Sequence, residues 1–255
     1  MPKAPAPPRS KINVKLALSL VLWGCVFAGL ALGAREVHSF LLSDSRFRFE
    51  KLEIRGTVYT SRARIQGIFA PDVHSSVFAL PLAERRRHVL AIDWVRTAAV
   101  SRVWPDRLVI TITERKPVAF AKLQIAGTMR HWLALIDDEG ILLSIPPRVR
   151  FRLPVLSGVS EEQSDDERRM RVESMSHLLA DLGPRAAEIS EVNAASAQDM
   201  RVMADVDGQS VELWMGDQRY RSRYLNFLSH YPDIRKHEER ASVFDLRMDD
   251  RISTR

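Results

Sequence analysis

One cysteine, Cys25, stands in 255 residues, so the chain can close no internal disulfide and a cysteine-based structural zinc site is excluded. Glycine is also sparse at 11 residues, and none groups as GxGxxG or a Walker loop, which argues against nucleotide binding through either motif. Each glycine reads as a turn, a helix end or part of an apolar run. The histidines, His38, His74, His88, His131, His177, His230 and His237, show no i,i+4 pair and no HExxH, so a helical zinc site is not expected. There is no GxSxG nucleophile elbow and no fixed-period repeat. Asp137-Asp138-Glu139-Gly140 reads as a hairpin turn, and Asp165-Asp166-Glu167 as an acidic first helical turn favoured by the helix dipole. No catalytic residue, metal site or cofactor is expected.

A single basic surface is missing as well. The chain has 38 Lys+Arg against 32 Asp+Glu, a net charge of +6, but the charge is divided. Residues 1–35 carry five basic groups and no acid, residues 36–119 carry 14 basic and 9 acidic groups, and residues 120–255 carry 19 and 23. This pattern of +5, +5 and −4 points to three segments in different surroundings rather than to a nucleic-acid-binding face. Hydrophobic residues make up 45%, enough for real cores and too many for general disorder.

What is present first is an uncharged run between Lys15 and Arg35, LALSLVLWGCVFAGLALGA. As a helix it covers roughly the ~30 Å hydrocarbon core of a bilayer. A transmembrane helix over residues 16–34 is therefore expected. A cleaved signal peptide is the competing reading, and its apolar core is usually shorter. Lys3, Arg9, Lys11 and Lys15 precede the span, which favours a cytoplasmic N-terminus and translocated C-terminal domains. Pro2, Pro5, Pro7 and Pro8 leave residues 1–15 as a disordered tail. Cys25, Gly29 and Gly33 form a small-residue stripe suited to packing against a partner helix.

Beyond the span, Phe47 to Ile54 reads as a strand and Ser61 starts a short helix through Phe69. Leu82 to Ala91 reads as a second helix with Arg85, Arg86 and Arg87 mostly in water. Val95–Val103 and Leu108–Ile112 read as strands joined at Trp104-Pro105-Asp106. The order is β-α-α-β-β over residues 44–116, with Trp94 and Trp104 expected in the core. Residues 117–255 read as an antiparallel, strand-rich β domain with flanking helices. Ser164 and Glu167 form a capping box, and Asp207-Gly208 turns a hairpin. Asp217 caps a helix that Pro232 stops, and Val243–Met248 forms a terminal strand. The fold class is α+β.

The run Trp94, Val95, Ala98, Val100, Arg102, Trp104, Pro105, Leu108, Ile110, Glu114, Arg115, Pro117 and Ala119 strongly resembles the POTRA domain of the bacterial cell-division FtsQ/DivIB family. Leu52-Glu-Ile-Arg-Gly56, Leu135-Ile-Asp-Asp-Glu-Gly140, Leu153-Pro-Val-Leu-Ser-Gly158 and Asp245-Leu-Arg247 extend the likeness over nearly the whole chain. The resemblance implies a non-enzymatic divisome scaffold in the inner membrane at the septum. It implies partners FtsB and FtsL on the β domain, and FtsK on the POTRA domain. It places the FtsB contact on Phe244, Asp245, Leu246, Arg247 and Met248, with Tyr224 and Phe227 on the preceding helix. Met248 stands where the family often has an aromatic residue. A strand edge suits β-augmentation, whereas alternation lets one face of that strand serve the core instead. A membrane-anchored envelope hydrolase is the alternative; an outer-membrane assembly factor would need barrel strands that two helices displace.

Overall fold

A computed structural model describes residues 14–124, 131–248 and 251–254. The expected tail lies outside the described residues up to residue 13. The first element, helix α1 (Val14–Ser43), has 30 residues and is about 45 Å long. It continues past Arg35 because Glu36 to Ser43 contains neither glycine nor proline to break it. Within it Leu22–Ser43 is apolar enough to cross a membrane and is unburied throughout.

Contacts divide the described residues into two compact units. One falls within Met1–Arg55, Arg62–His88 and Ala99–Thr111, the other within Gly56–Ser61, Val89–Ala98 and Ile112–Arg255.

The β-α-α-β-β order appears as β1 (Lys51–Arg55), α2 (Arg62–Phe69), α3 (Leu82–Leu90), β2 (Val95–Val103) and β3 (Arg107–Glu114). The sheet order is β1-β3-β2, with β1 parallel to β3 through Leu52↔Leu108 and Ile54↔Ile110. In the first unit Phe49, Ile65, Phe69, Val77, Leu80, Leu108 and Ile110 are buried, which is the inward half of the alternation along β3 and the i,i+4 face of α2. Three expectations change here. Gly67 sits inside α2, not at a turn. Arg85 is not mostly in water, because its guanidinium donates to Asp72 at 2.6 and 2.8 Å. Trp94 is buried, but Trp104 is 64% exposed: a side chain at the tip of the β2–β3 turn has no layer above it.

The second unit is a nine-stranded sheet formed by β4 (Pro117–Gln124), β5 (His131–Asp137), β6 (Leu142–Leu143), β7 (Val155–Val159), β8 (Ile189–Asn193), β9 (Met200–Val206), β10 (Gln209–Gly216), β11 (Val243–Asp245) and β12 (Ser253–Thr254). Its order is β12-β11-β10-β9-β8-β7-β4-β5-β6. The sheet is mixed, not antiparallel. Helix α4 (Asp165–Leu182) carries the chain between parallel strands β7 and β8, and helix α5 (Tyr220–His237) carries it between β10 and β11, the crossover that parallel pairing requires. The Ser164–Glu167 capping box is present in both directions.

One face of this sheet presents Ala121, Leu156, Val192, Val202, Leu213 and Phe244 to α4 residues Val172, Met175, Leu178 and Leu182 and to α5 residues Tyr220, Tyr224, Phe227 and Tyr231, all buried in one core. Helix α5 departs from the sequence reading at both ends. Arg219, in a left-handed conformation at φ +56°, takes the N-cap position in place of Asp217, and Pro232 lies inside the helix. The buried Tyr224, Phe227 and Tyr231 hold the helix through that proline, whose cost they offset.

Candidate partner-binding site

The sheet ends on its C-terminal side with β11 and β12, where β12 pairs antiparallel with β11 through Phe244↔Thr254 and Asp245↔Ser253. No strand lies outside β12 among the described residues. The period of two decides what each side chain does. Phe244 lies in register with Leu213, is fully buried, and sits 5.0 Å from the Phe227 ring and 5.9 Å from Tyr231. Leu246 is buried too, and its N–H donates to the Trp214 carbonyl at 2.9 Å. Asp245 and Arg247 take the opposite face, while Met248, beyond the end of β11 at Asp245, leaves the alternation and is 60% exposed.

Of the seven residues placed by sequence at a partner contact, four (Phe244, Leu246, Tyr224 and Phe227) have their side chains buried in the core. Tyr224 Oη donates to Glu188 at 2.6 Å. Its pKa is raised, first by burial and then by that hydrogen bond.

Arg247 is held in place on the other face. Its guanidinium donates to the Asp245 carboxylate at 2.9 and 2.6 Å, which raises the Arg247 pKa, and it lies 5.0 Å from the Trp214 ring centre. Arg201 covers the same ring at 4.1 Å. Trp214 is the cross-strand neighbour of both Arg201 and Asp245, so one row of the sheet surface reads Arg201, Trp214, Asp245.

Between α5 and the terminal hairpin runs an open groove of about 190 Å³, lined by Arg219, Ser222, Arg223, Asn226, Leu246, Met248 and Ile252. Ser222, Arg223 and Asn226 lie on one face of α5, with its N-cap Arg219 at the end of the same face. Arg223 ties the groove floor together by donating to the Met215 carbonyl at 2.7 Å and the Arg247 carbonyl at 2.9 Å. Sequence reasoning missed Arg223, Ile252 and strand β12. The helical spacing 219/222/223/226 was the available signal, whereas a two-residue strand carries no period.

The chain as a whole has counterparts among known proteins. A family model described as "POTRA domain, FtsQ-type" matches residues 47–115. Cell division protein FtsQ of Koribacter versatilis is 33% identical over 264 residues, spanning 98% of this chain and 72% of that protein. The chain belongs to the FtsQ family. FtsQ of Novosphingobium aromaticivorans is 30% identical over 94% of this chain and 71% of its own length, and FtsQ of Actinobacillus pleuropneumoniae is 26% identical over 85% and 84%. The α+β architecture with an N-terminal apolar helix fits a single-pass membrane division protein.

The motifs that carry the FtsQ likeness have physical work in the second unit. Glu114 accepts hydrogen bonds from the amides of Val58, Tyr59 and Thr60 at 3.0, 2.9 and 2.7 Å. Burial pushes its carboxyl up, and these donors outweigh that and hold it below its ordinary value. Arg115 bridges the fully buried Asp137 at 2.7 Å and Glu139 at 2.6 Å. Asp137 also accepts from the amides of Glu139 and Ile141, so the acidic turn is a ring of satisfied acceptors. Gly140 has φ +78°, and a Cβ there would lie 2.4 Å from the Asp165 carbonyl oxygen. Along α1, Cys25, Gly29 and Gly33 are exposed on one face.

Proposed function

We propose that this chain is a non-enzymatic scaffold of the division machinery whose β12 edge and adjoining groove take up an FtsB-type partner. The observation that carries the reading is the terminal hairpin. It ends the sheet on a two-residue strand and places Met248 and Ile252 beside the groove. A partner strand added outside β12 would gain main-chain hydrogen bonds, and its alternate side chains would be chosen by the groove on one face and by the Arg201–Trp214–Asp245 row on the other. Because Phe244, Leu246, Tyr224 and Phe227 are buried, their part is to hold the edge in register.

In this reading the N-terminus is cytoplasmic, the two units are extracytoplasmic, and the protein gathers at the septum to recruit wall synthesis. FtsL joins with FtsB, FtsK meets an edge of the β1-β3-β2 sheet, and the Cys25/Gly29/Gly33 face meets a partner span. Full-length protein bearing Met248→Asp or Ser253→Pro should lose capture of FtsB while its unfolding transition is preserved. Capture equal to wild type by both variants sinks the site. An alkaline phosphatase fusion at residue 255 should be active, and an inactive fusion contradicts the topology.

A further inference from the structure

Trp104 is the residue that the core leaves over. It is 64% exposed, yet it is firmly placed: its ring meets Phe47 at 5.7 Å and Phe78 at 5.1 Å, both edge-to-face. Phe47 in turn meets Phe40 of α1 at 6.0 Å, again edge-to-face. The Ser76 hydroxyl donates to the Leu41 carbonyl at 2.7 Å, which ties the same region to the last turns of the helix. All of these residues belong to the first unit. Val103 next to Trp104 in the chain, and Phe40 and Leu42 in the last turns of α1, are exposed at 41, 47 and 40%. The exposed Arg46 lies 5.5 Å from the Phe40 ring centre, and Arg48 is exposed two residues on.

The position along α1 identifies what covers this patch. Arg35 is the first charge after the apolar run, and Phe40 follows five residues later, about 7–8 Å further along the helix. The headgroup layer on each side of a bilayer is roughly 5–8 Å deep, the difference between a ~30 Å core and its ~40–45 Å total thickness. Arg35 and Glu36 are the charges inside the Leu22–Ser43 stretch, and because charges are costly in hydrocarbon they set its edge at Arg35, so Phe40 and the rings packed on it lie at headgroup depth. An indole, with a broad apolar body and one N–H donor, is suited to that layer, and the guanidinium of Arg48 suits its phosphates, Arg46 being paired with Asp44 at 2.9 Å.

We propose that the β2–β3 turn, through Trp104 and Val103, docks on the bilayer surface from which α1 emerges, so that the first unit is held to the membrane by a second, non-covalent contact. The proposal rests on α1 spanning the bilayer, and the test separates the two.

Purified full-length chain is reconstituted in phosphatidylcholine–phosphatidylglycerol nanodiscs carrying nitroxide lipid labelled either at the headgroup or at acyl carbon 12. The emission lost in Trp104→Phe isolates the Trp104 signal. The emission lost in Trp23→Phe isolates that of Trp23, about 18 Å below Arg35 along the helix and hence near the bilayer centre. The Trp104 signal should fall about twofold with the headgroup label and less with the deep label, and Trp23 should show the reverse. A Trp104 signal unmoved by either label while Trp23 is quenched overturns the docking alone. A Trp23 signal unmoved by both overturns the span and the docking with it. Because Trp104 lies outside the core, Trp104→Phe leaves the fold intact, and a wild-type melting temperature checks this.

Discussion

Phe244 and Met248 stand four residues apart in the same terminal segment, and the structure assigns them opposite work. Phe244 is fully buried between Phe227 and Tyr231, so Phe244→Ala removes a ring from a packed core and leaves a cavity. Substitutions of this kind cost about 3–5 kcal/mol. The sheet edge can collapse partly into the space, which points to the lower end, about 3 kcal/mol. With a urea slope of about 2 kcal/mol/M, the unfolding midpoint of the variant should move down by about 1.5 M. Met248 is 60% exposed, and Met248→Ala should move the midpoint by less than about 0.3 M, the equivalent of an ordinary surface change. Tryptophan fluorescence of the detergent-solubilised chain reads both, since Trp214 sits on the strand beside β11. The partner assay should invert the order: at a temperature where both variants are folded, Met248→Ala binds FtsB more weakly than Phe244→Ala. A Phe244→Ala midpoint within error of wild type would refute the division of labour along this strand.

Three further perturbations test the supports of the fold. Gly140→Ala combines a φ of +78° with a Cβ 2.4 Å from the Asp165 carbonyl oxygen, and should lose at least about 1–3 kcal/mol in the same denaturation experiment. Glu114 has a carboxyl held below its ordinary value of 4.5 in the folded chain. Its contribution is therefore complete above pH 4.5 and is lost as pH falls through the folded value. Glu114→Gln should be less stable than wild type at pH 7 and less sensitive to acid below pH 4.5, as read from melting temperature against pH. Arg223→Met keeps the stem but leaves the Met215 and Arg247 carbonyls without their donor, and should cost about 1.5–3 kcal/mol, with protease cleavage rising first in the terminal hairpin.

The parts of this protein that could be read from sequence are those where a local rule acts without competition. The alternation of Leu108, Ile110 and Ile112, the Ser164–Glu167 capping box and the Asp207-Gly208 turn each specify a local geometry, and each is found. The misreadings share one cause, which is that neighbours distant in sequence override the local signal. Pro232 should end a helix, but three buried aromatic side chains on its α5 face continue it. Asp217 has the chemistry of an N-cap and Arg219 has the position. Parallel pairing of β10 with β11 follows from the helix between them, which a strand-by-strand reading does not weigh. At the candidate site the apolar alternation of Val243–Met248 reads as a strand, but only Val243–Asp245 forms β11, and which half faces inward depends on Phe227 and Tyr231, some 13 to 17 residues earlier. Trp104 shares a motif with Trp94, but Trp94 is buried against Leu135 and Leu143, distant in sequence, whereas Trp104 is left exposed at the tip of the β2–β3 turn.

The central claim, that a partner strand is added outside β12, is tested most directly by amide hydrogen exchange of the full-length chain with and without the extracytoplasmic segment of FtsB. Partner binding should slow exchange in residues 251–254 and along the groove face of α5 from Arg219 to Asn226, with β1–β3 unchanged. Slowed exchange confined to other segments, or no change at the terminal hairpin at saturating FtsB, would contradict it.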